Sequence, residues 1–171
     1  MTSKLKVNLI NDGGDNNIIT SDGSGVITAS KFKIIQHQYV RAKSSLTTSS
    51  TTAAEISSDL RVTITPTSAS NDIIIQYKIG WIDNLAAGRD IKIAIYRDST
   101  NLLSNAGAND NWYFYCGDQF QGTWEGFWID DSHNSTSQLT YKLYAWSGGV
   151  GQITVGSTGK FTYGEAMEVL P

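Results

Sequence analysis

One cysteine, Cys116, stands in a chain of 171 residues. That excludes an intrachain disulfide and a thiolate cage around a metal. Charge is scarce as well: 17% of residues are Asp, Glu, Lys or Arg, below the roughly 25% usual in globular domains. The formal net charge is −3, and Lys and Arg are scattered singly, with no run able to track a phosphate backbone; no nucleic acid partner is expected. No apolar stretch nears the ~20 residues of a spanning helix, so no membrane partner is expected either. Met1-Thr2-Ser3-Lys4 has no apolar segment behind its positive charge, which predicts a protein made in a cytoplasm without a secretory signal.

What the chain does have is alternation with a period of two. Leu60, Val62 and Ile64 point one way, with Arg61, Thr63 and Thr65 opposed. Ile73, Ile75, Tyr77, Ile79 and Trp81 form a longer face; Ile91, Ile93 and Ile95, and Leu139, Tyr141, Leu143 and Ala145, form two more. These runs are rich in β-branched and aromatic residues, which suit a half-buried pleated surface. Weaker strands are predicted at 32–41, 112–117, 124–130, 152–156 and 160–169. Turn chemistry separates them, as in Pro66 to Asp72, Asp98 to Asn101 and Ser147-Gly148-Gly149. About eight antiparallel strands predict an all-β, two-sheet sandwich of jelly-roll type over residues 31–171. Its predicted core comprises Leu60, Val62, Ile64, Ile75, Tyr77, Ile79, Ile93, Ile95, Leu143 and Val169.

Residues 1–30 read differently. Leu5, Val7 and Leu9 make one short alternating strand, and the apolar pairs Ile18-Ile19 and Val26-Ile27 follow between Gly-, Asp- and Asn-rich turns. Three such short strands cannot bury a core alone, so this segment is expected to act as a docking arm, with Leu5, Val7, Leu9, Ile18 and Ile19 as contacts. Ser44 to Thr52 holds eight Ser or Thr in nine residues. It reads as a polar surface loop or a Thr-rich edge strand whose flatness the hydroxyls mask.

Motifs that carry chemistry are weak. His37 falls within a strand. Asp130, Asp131, Ser132 and His133 bring triad residue types together, but adjacent residues cannot form a triad, because the base must reach the nucleophile across space. A solvated turn is the expected reading of that loop. Asn11 to Asn17 lacks the ligand alternation and closing Glu of a calcium loop. Gly156 to Phe161 lacks the first glycine, the Ser/Thr and the following helix of a phosphate loop. No catalytic residue, metal or cofactor is expected. Cys116, set in Trp112-Tyr113-Phe114-Tyr115-Cys116, is expected to be a buried structural thiol.

Aromatics are the unusual asset. Trp112, Tyr113, Phe114, Tyr115, Phe120, Trp124, Phe127 and Trp128 crowd within seventeen residues. Alternation puts Trp112 and Phe114 on one face and Tyr113 and Tyr115 on the other, more aromatic surface than one small core uses. Trp112, Tyr113, Tyr115, Phe120, Trp124 and Trp128 are therefore expected to meet a partner subunit, or alternatively to form a platform for stacking sugars.

From about Phe32 onward the order of features resembles the jelly-roll fibre and decoration proteins of marine tailed bacteriophages. The residues carrying the resemblance are the strand ending Tyr39-Val40-Arg41, the Ser/Thr-rich stretch after it, the run Leu60 to Ile75 with its Pro66-Thr67-Ser68 turn, Ile95-Tyr96-Arg97-Asp98, Thr140-Tyr141-Lys142-Leu143 and Ala166-Met167-Glu168-Val169. The segment Ser3 to Asn8 also resembles one that precedes such domains. The resemblance implies a homotrimer shaped like tumour-necrosis-factor-type heads and carried on the virion surface. Its partners would be other virion proteins of the capsid or tail. Because only about thirty residues precede the domain here, a decoration (cement) protein or short fibre is expected rather than a long one. A receptor-binding head recognising host surface glycans is the alternative.

Overall fold

The computed structural model describes residues 9–11, 17–21, 27–29, 34–84, 89–103, 112–116, 120–149 and 151–171. Near the N-terminus, β1 (Leu9–Asn11), β2 (Asn17–Ser21) and β3 (Ile27–Ala29) form a separate antiparallel sheet in sequence order. The remaining strands are β4 (Ile34–Ala42), β5 (Ser45–Thr48), β6 (Ala54–Glu55), β7 (Val62–Ile64), β8 (Asp72–Asn84), β9 (Arg89–Arg97), β10 (Thr100–Asn101), β11 (Trp112–Cys116), β12 (Phe120–Asp130), β13 (Leu139–Ser147), β14 (Ile153–Gly156) and β15 (Thr162–Val169). One 3₁₀ turn, Ser58–Leu60, precedes β7. Among the described residues no helix is long and apolar enough to cross a membrane.

These strands make two antiparallel sheets, each four positions wide. In the first, β12 lies along one edge of β8. On the other edge β15 pairs with residues 72–78 and β14 with 82–84, and β4 and β5 lie outside those two. In the second sheet β9 is flanked by β11 and β10 on one side and β13 on the other, with β7 and β6 outside β13. The chain passes from sheet to sheet as it goes: β4 and β5 in the first, β6 and β7 in the second, β8 back in the first, then β9 to β11, β12, β13, and finally β14 and β15. That is the jelly-roll path.

The two inner faces meet through Ile73, Ile75, Tyr77, Ile79 and Ile82 of β8 and Ile91, Ile93, Ile95, Tyr141 and Leu143 of β9 and β13, all essentially inaccessible to water. Nine of the ten predicted core residues are buried here. Val169 is the exception: in β15 the inward positions are Thr162, Gly164, Ala166 and Glu168, and Val169 is only half-buried. Trp81 also departs from expectation. Gly122 of β12 stands opposite Ile82 but Trp124 opposite Ile79, so β8 holds one extra residue at Gly80-Trp81. This bulge turns Trp81 out of the core and puts Ile82 in. A side chain at position 80 would drive its Cβ to 2.3 Å from the Phe161 carbonyl oxygen.

The Ser/Thr-rich stretch contains β5, the edge strand beside β14, where the Thr47 and Thr154 hydroxyls lie 3.0 Å apart. Cys116 belongs to β11, and its side chain lies outside what is described. Ile79 sits at the centre of the core, so Ile79→Ala should destabilise the fold by about 2–5 kcal/mol in urea titrations. A loss under about 0.5 kcal/mol would contradict its placement.

Candidate functional site

The aromatic cluster of β11 and β12 is divided by the fold. β11 is on the flank of β9 and β12 on the flank of β8, so the two belong to different sheets. Trp112, Tyr113 and Tyr115 pair through their backbones with Ile93, Lys92 and Asp90; their side chains lie outside what is described. In β12 the expected contact residues lie on the side of the strand that faces the core. Trp124 is 5% exposed and part of the core, and Phe120 and Trp128 are half-buried against it. The cause is legible after the fact in Phe120-x-Gly122-x-Trp124-x-Gly126. The Phe120 ring covers the space a Cβ on Gly122 would take, and the Trp124 ring lies where a Cβ on Gly126 would fall. An aromatic ring laid over a glycine on the same strand face closes the hole left by the missing side chain. Outward from β12 come Phe127 and Ile129 instead, one pleat away from the expected set. Of the expected docking residues, Leu9 is in β1 and Ile18 and Ile19 in β2, while Leu5 and Val7 lie outside the described residues.

The outer face of the first sheet is where large apolar groups meet solvent. Phe127 is 65% exposed, Ile34 and Tyr39 54%, and Ile129 47%. Strand register lines them up. His37, Met167, Ile74 and Ile129 form one row across β4, β15, β8 and β12, and Tyr39, Glu165, Gln76 and Phe127 the next. In β15 the outward residues are Tyr163, Glu165, Met167 and Val169 and the inward ones Thr162, Gly164, Ala166 and Glu168, so the larger apolar side chains face out. This explains why Val169 is mistaken for core in a pattern reading.

Farther along, the face becomes polar. Arg41, Tyr163, Lys78 and Glu125 form the next row, and a depression of about 450 Å³ opens between Tyr39, Tyr163, Gln76, Lys78, Glu125 and Glu165. Its carboxylates are engaged: Glu165 accepts from His37 at 2.9 Å, and Glu125 takes Gln76 and lies 3.7 Å from Lys78 Nζ.

In the loop after β12, Asp131, Ser132 and Asn134 are exposed, as a solvated turn requires, but two of the residues grouped with them are not. Asp130 is 1% exposed and His133 is buried. Both Asp130 oxygens accept from Arg97 Nη1, at 2.6 and 2.9 Å, and Oδ2 also accepts from the Tyr141 hydroxyl at 2.7 Å. Burial and the neighbouring Asp130 charge push the Tyr141 phenol well above its ordinary pKa. His133 Nδ1 accepts the Ser135 N–H at 3.2 Å, so Nε2 carries the proton and donates to the Asn71 carbonyl at 2.6 Å. Pattern reading also missed Glu168, which is fully buried. One oxygen accepts from the Thr67 N–H (2.7 Å), the Thr67 hydroxyl (2.8 Å) and Asn71 Nδ2 (2.7 Å), and the other from Gln36 Nε2 (2.6 Å). These groups are closed off from solvent and hold the loops at one end of the sandwich.

Among the described residues no group of three or more His, Cys, Asp or Glu side chains is placed to hold a metal ion. Comparison with known proteins yields no matching family model and no matching curated protein.

Two stability experiments follow from the buried groups. Burial opposes ionisation of Glu168, but the hydrogen bonds from Gln36, Asn71 and Thr67 outweigh it and hold its pKa at about 2, against a reference value of 4.5. A depressed folded pKa contributes stability that is complete above the unfolded value and is lost as pH falls toward the folded one. Urea midpoints should therefore drop between pH 4.5 and about 2, and Glu168→Gln should flatten its share of that dependence. Asp130→Ala strands Arg97 beside the core and should cost about 3–5 kcal/mol. The double variant with Arg97→Met should recover part of that loss, measured by the same titrations.

Proposed function

We propose that this chain is a structural protein of a bacteriophage particle, a jelly-roll domain that trimerises through the outer face of its first sheet and attaches to the particle through residues 1–30. The observation that carries the reading is the apolar outer face. A soluble monomer rarely leaves a contiguous apolar surface uncovered, and such a surface marks an interaction site. Here the strand β15 directs its larger apolar residues outward, the pattern of a strand with two faces to bury.

The occupant that fits best is another copy of the chain. Ile34 stands on the β4 side of the sheet and Phe127 and Ile129 on the β12 side. Two different apolar margins suit a heterologous contact, in which the β12 side of one copy meets the β4 side of the next. Such contacts leave no free end when the rotation closes into a ring. The resemblance to phage decoration and fibre proteins favours three copies. Closure at three would also gather three N-terminal segments, so that individually weak contacts act multivalently on the particle.

Light scattering of the full chain should give the mass of a trimer. Phe127→Glu with Ile129→Glu should give a monomer with an unchanged far-ultraviolet spectrum. Deleting residues 1–30 should leave the trimer intact and abolish binding to phage particles. A monomeric parent chain overturns the assembly, and undiminished particle binding by the truncation overturns the docking role.

A further inference from the structure

The basic and aromatic end of the same sheet face is left unused by the subunit contact. Arg41 and Lys43 at the end of β4 and Lys160 before β15 each lie over an aromatic ring. The Arg41 guanidinium carbon is 4.0 Å and Lys43 Nζ 4.8 Å from the centre of the Phe161 ring, and Lys160 Nζ is 4.3 Å from that of Trp81. A cation resting on an aromatic face is held by the ring's quadrupole yet keeps its charge and its outward N–H donors. Among the described residues none of the three is in an ion pair, because the nearby carboxylates Glu165 and Glu125 are taken by His37 and Lys78. A chain of net charge −3 thus gathers three uncompensated cations in one patch.

Beside this patch lies the depression bounded by Tyr39 and Tyr163, whose ring centroids are 6.2 Å apart and tilted by 35°. Its volume of about 450 Å³ is within the range of small-ligand sites, roughly 300–1,000 Å³. Amphipathic rings offer an apolar face to the C–H side of a sugar and a hydroxyl at their tip, while Gln76, Glu125 and Glu165 can meet sugar hydroxyls. The geometry points to a binding site for an acidic polysaccharide, its sugar rings against Tyr39 and Tyr163 and its carboxylate or sulfate groups on Arg41, Lys43 and Lys160. Nucleic acid fits less well, since Glu125 and Glu165 stand in the depression where closely spaced phosphates would pass. The site lies toward the opposite end of the face from Met167 and Ile129, and it does not require the chain to trimerise.

The test passes the full chain over an immobilised polyuronate, a sulfated glycan, neutral dextran and single-stranded DNA at low salt. Retention on at least one charged glycan and not on dextran is expected. R41A/K43A/K160A should weaken that binding about tenfold or more and flatten its salt dependence, whereas R41K/K43R should retain it. Tyr39→Ala should weaken binding without altering the salt slope, which simple ion exchange would not do. Thermal melting confirms that each variant is folded. Absence of retention on both charged glycans, equal or tighter binding to single-stranded DNA, or indifference to these substitutions overturns the site. Light scattering of the same samples reports separately on assembly: a monomer that still binds the glycan overturns the trimer and leaves this site standing.

Discussion

Asp130 is a carboxylate brought to a place where water cannot reach it, and such a charge destabilises the fold unless its partners are brought there too. It comes from β12 of the first sheet, while Arg97 and Tyr141 come from β9 and β13 of the second. The network therefore forms only when the sheets are stacked in one relative position. Hydrophobic contact between two isoleucine-rich faces is tolerant of sliding; a carboxylate held by two specific donors from the other sheet is not. Tyr77 adds a second tie of the same kind, its hydroxyl 3.0 Å from the carbonyl oxygens of Leu60 and Tyr141. Burial pushes its phenol well above the ordinary range, so it remains a neutral donor.

Glu168 does for the loops what Asp130 does for the sheets. A single carboxylate from the last strand organises the turn between β7 and β8, and Asn71 of that turn then receives His133 from the loop after β12. Three segments distant in sequence are joined by one chain of buried hydrogen bonds. Strands β4 and β15, the turn into β8 and the loop after β12 are thus tied together at one end of the first sheet, whose outer face forms a platform. A surface ordered before contact loses little entropy on meeting a partner.

That platform is chemically divided along the strands. One end is apolar, around Ile129, Ile74 and Met167, and suits the surface of another copy of the chain. The other end sets cations on aromatic rings beside a shallow depression, and suits a charged, hydroxylated ligand. A period-two strand can serve both, since neighbouring rows on the same face are independent of the core beneath them.

The sequence by itself determined the longer strands, most of the turns, the two-sheet class and nine of ten named core residues, because alternation in Val62 to Ile64, Ile73 to Ile79 and Ile91 to Ile95 depends only on local pleat geometry. It failed at Val169, where both sides of the strand are apolar, and it did not reveal that Phe120, Trp124 and Trp128 face inward, two of these rings lying over glycines. There, hydrophobicity no longer tells inside from outside, and a shift of one residue exchanges the faces. Only the tertiary structure decided that Phe127 and Ile129 are the exposed pair, that the bulge at Gly80 ejects Trp81, and that Asp130, His133 and Glu168 are buried. Each of those outcomes depends on a partner strand far away in the chain, and pairing over such distances leaves no local trace in the residues that undergo it.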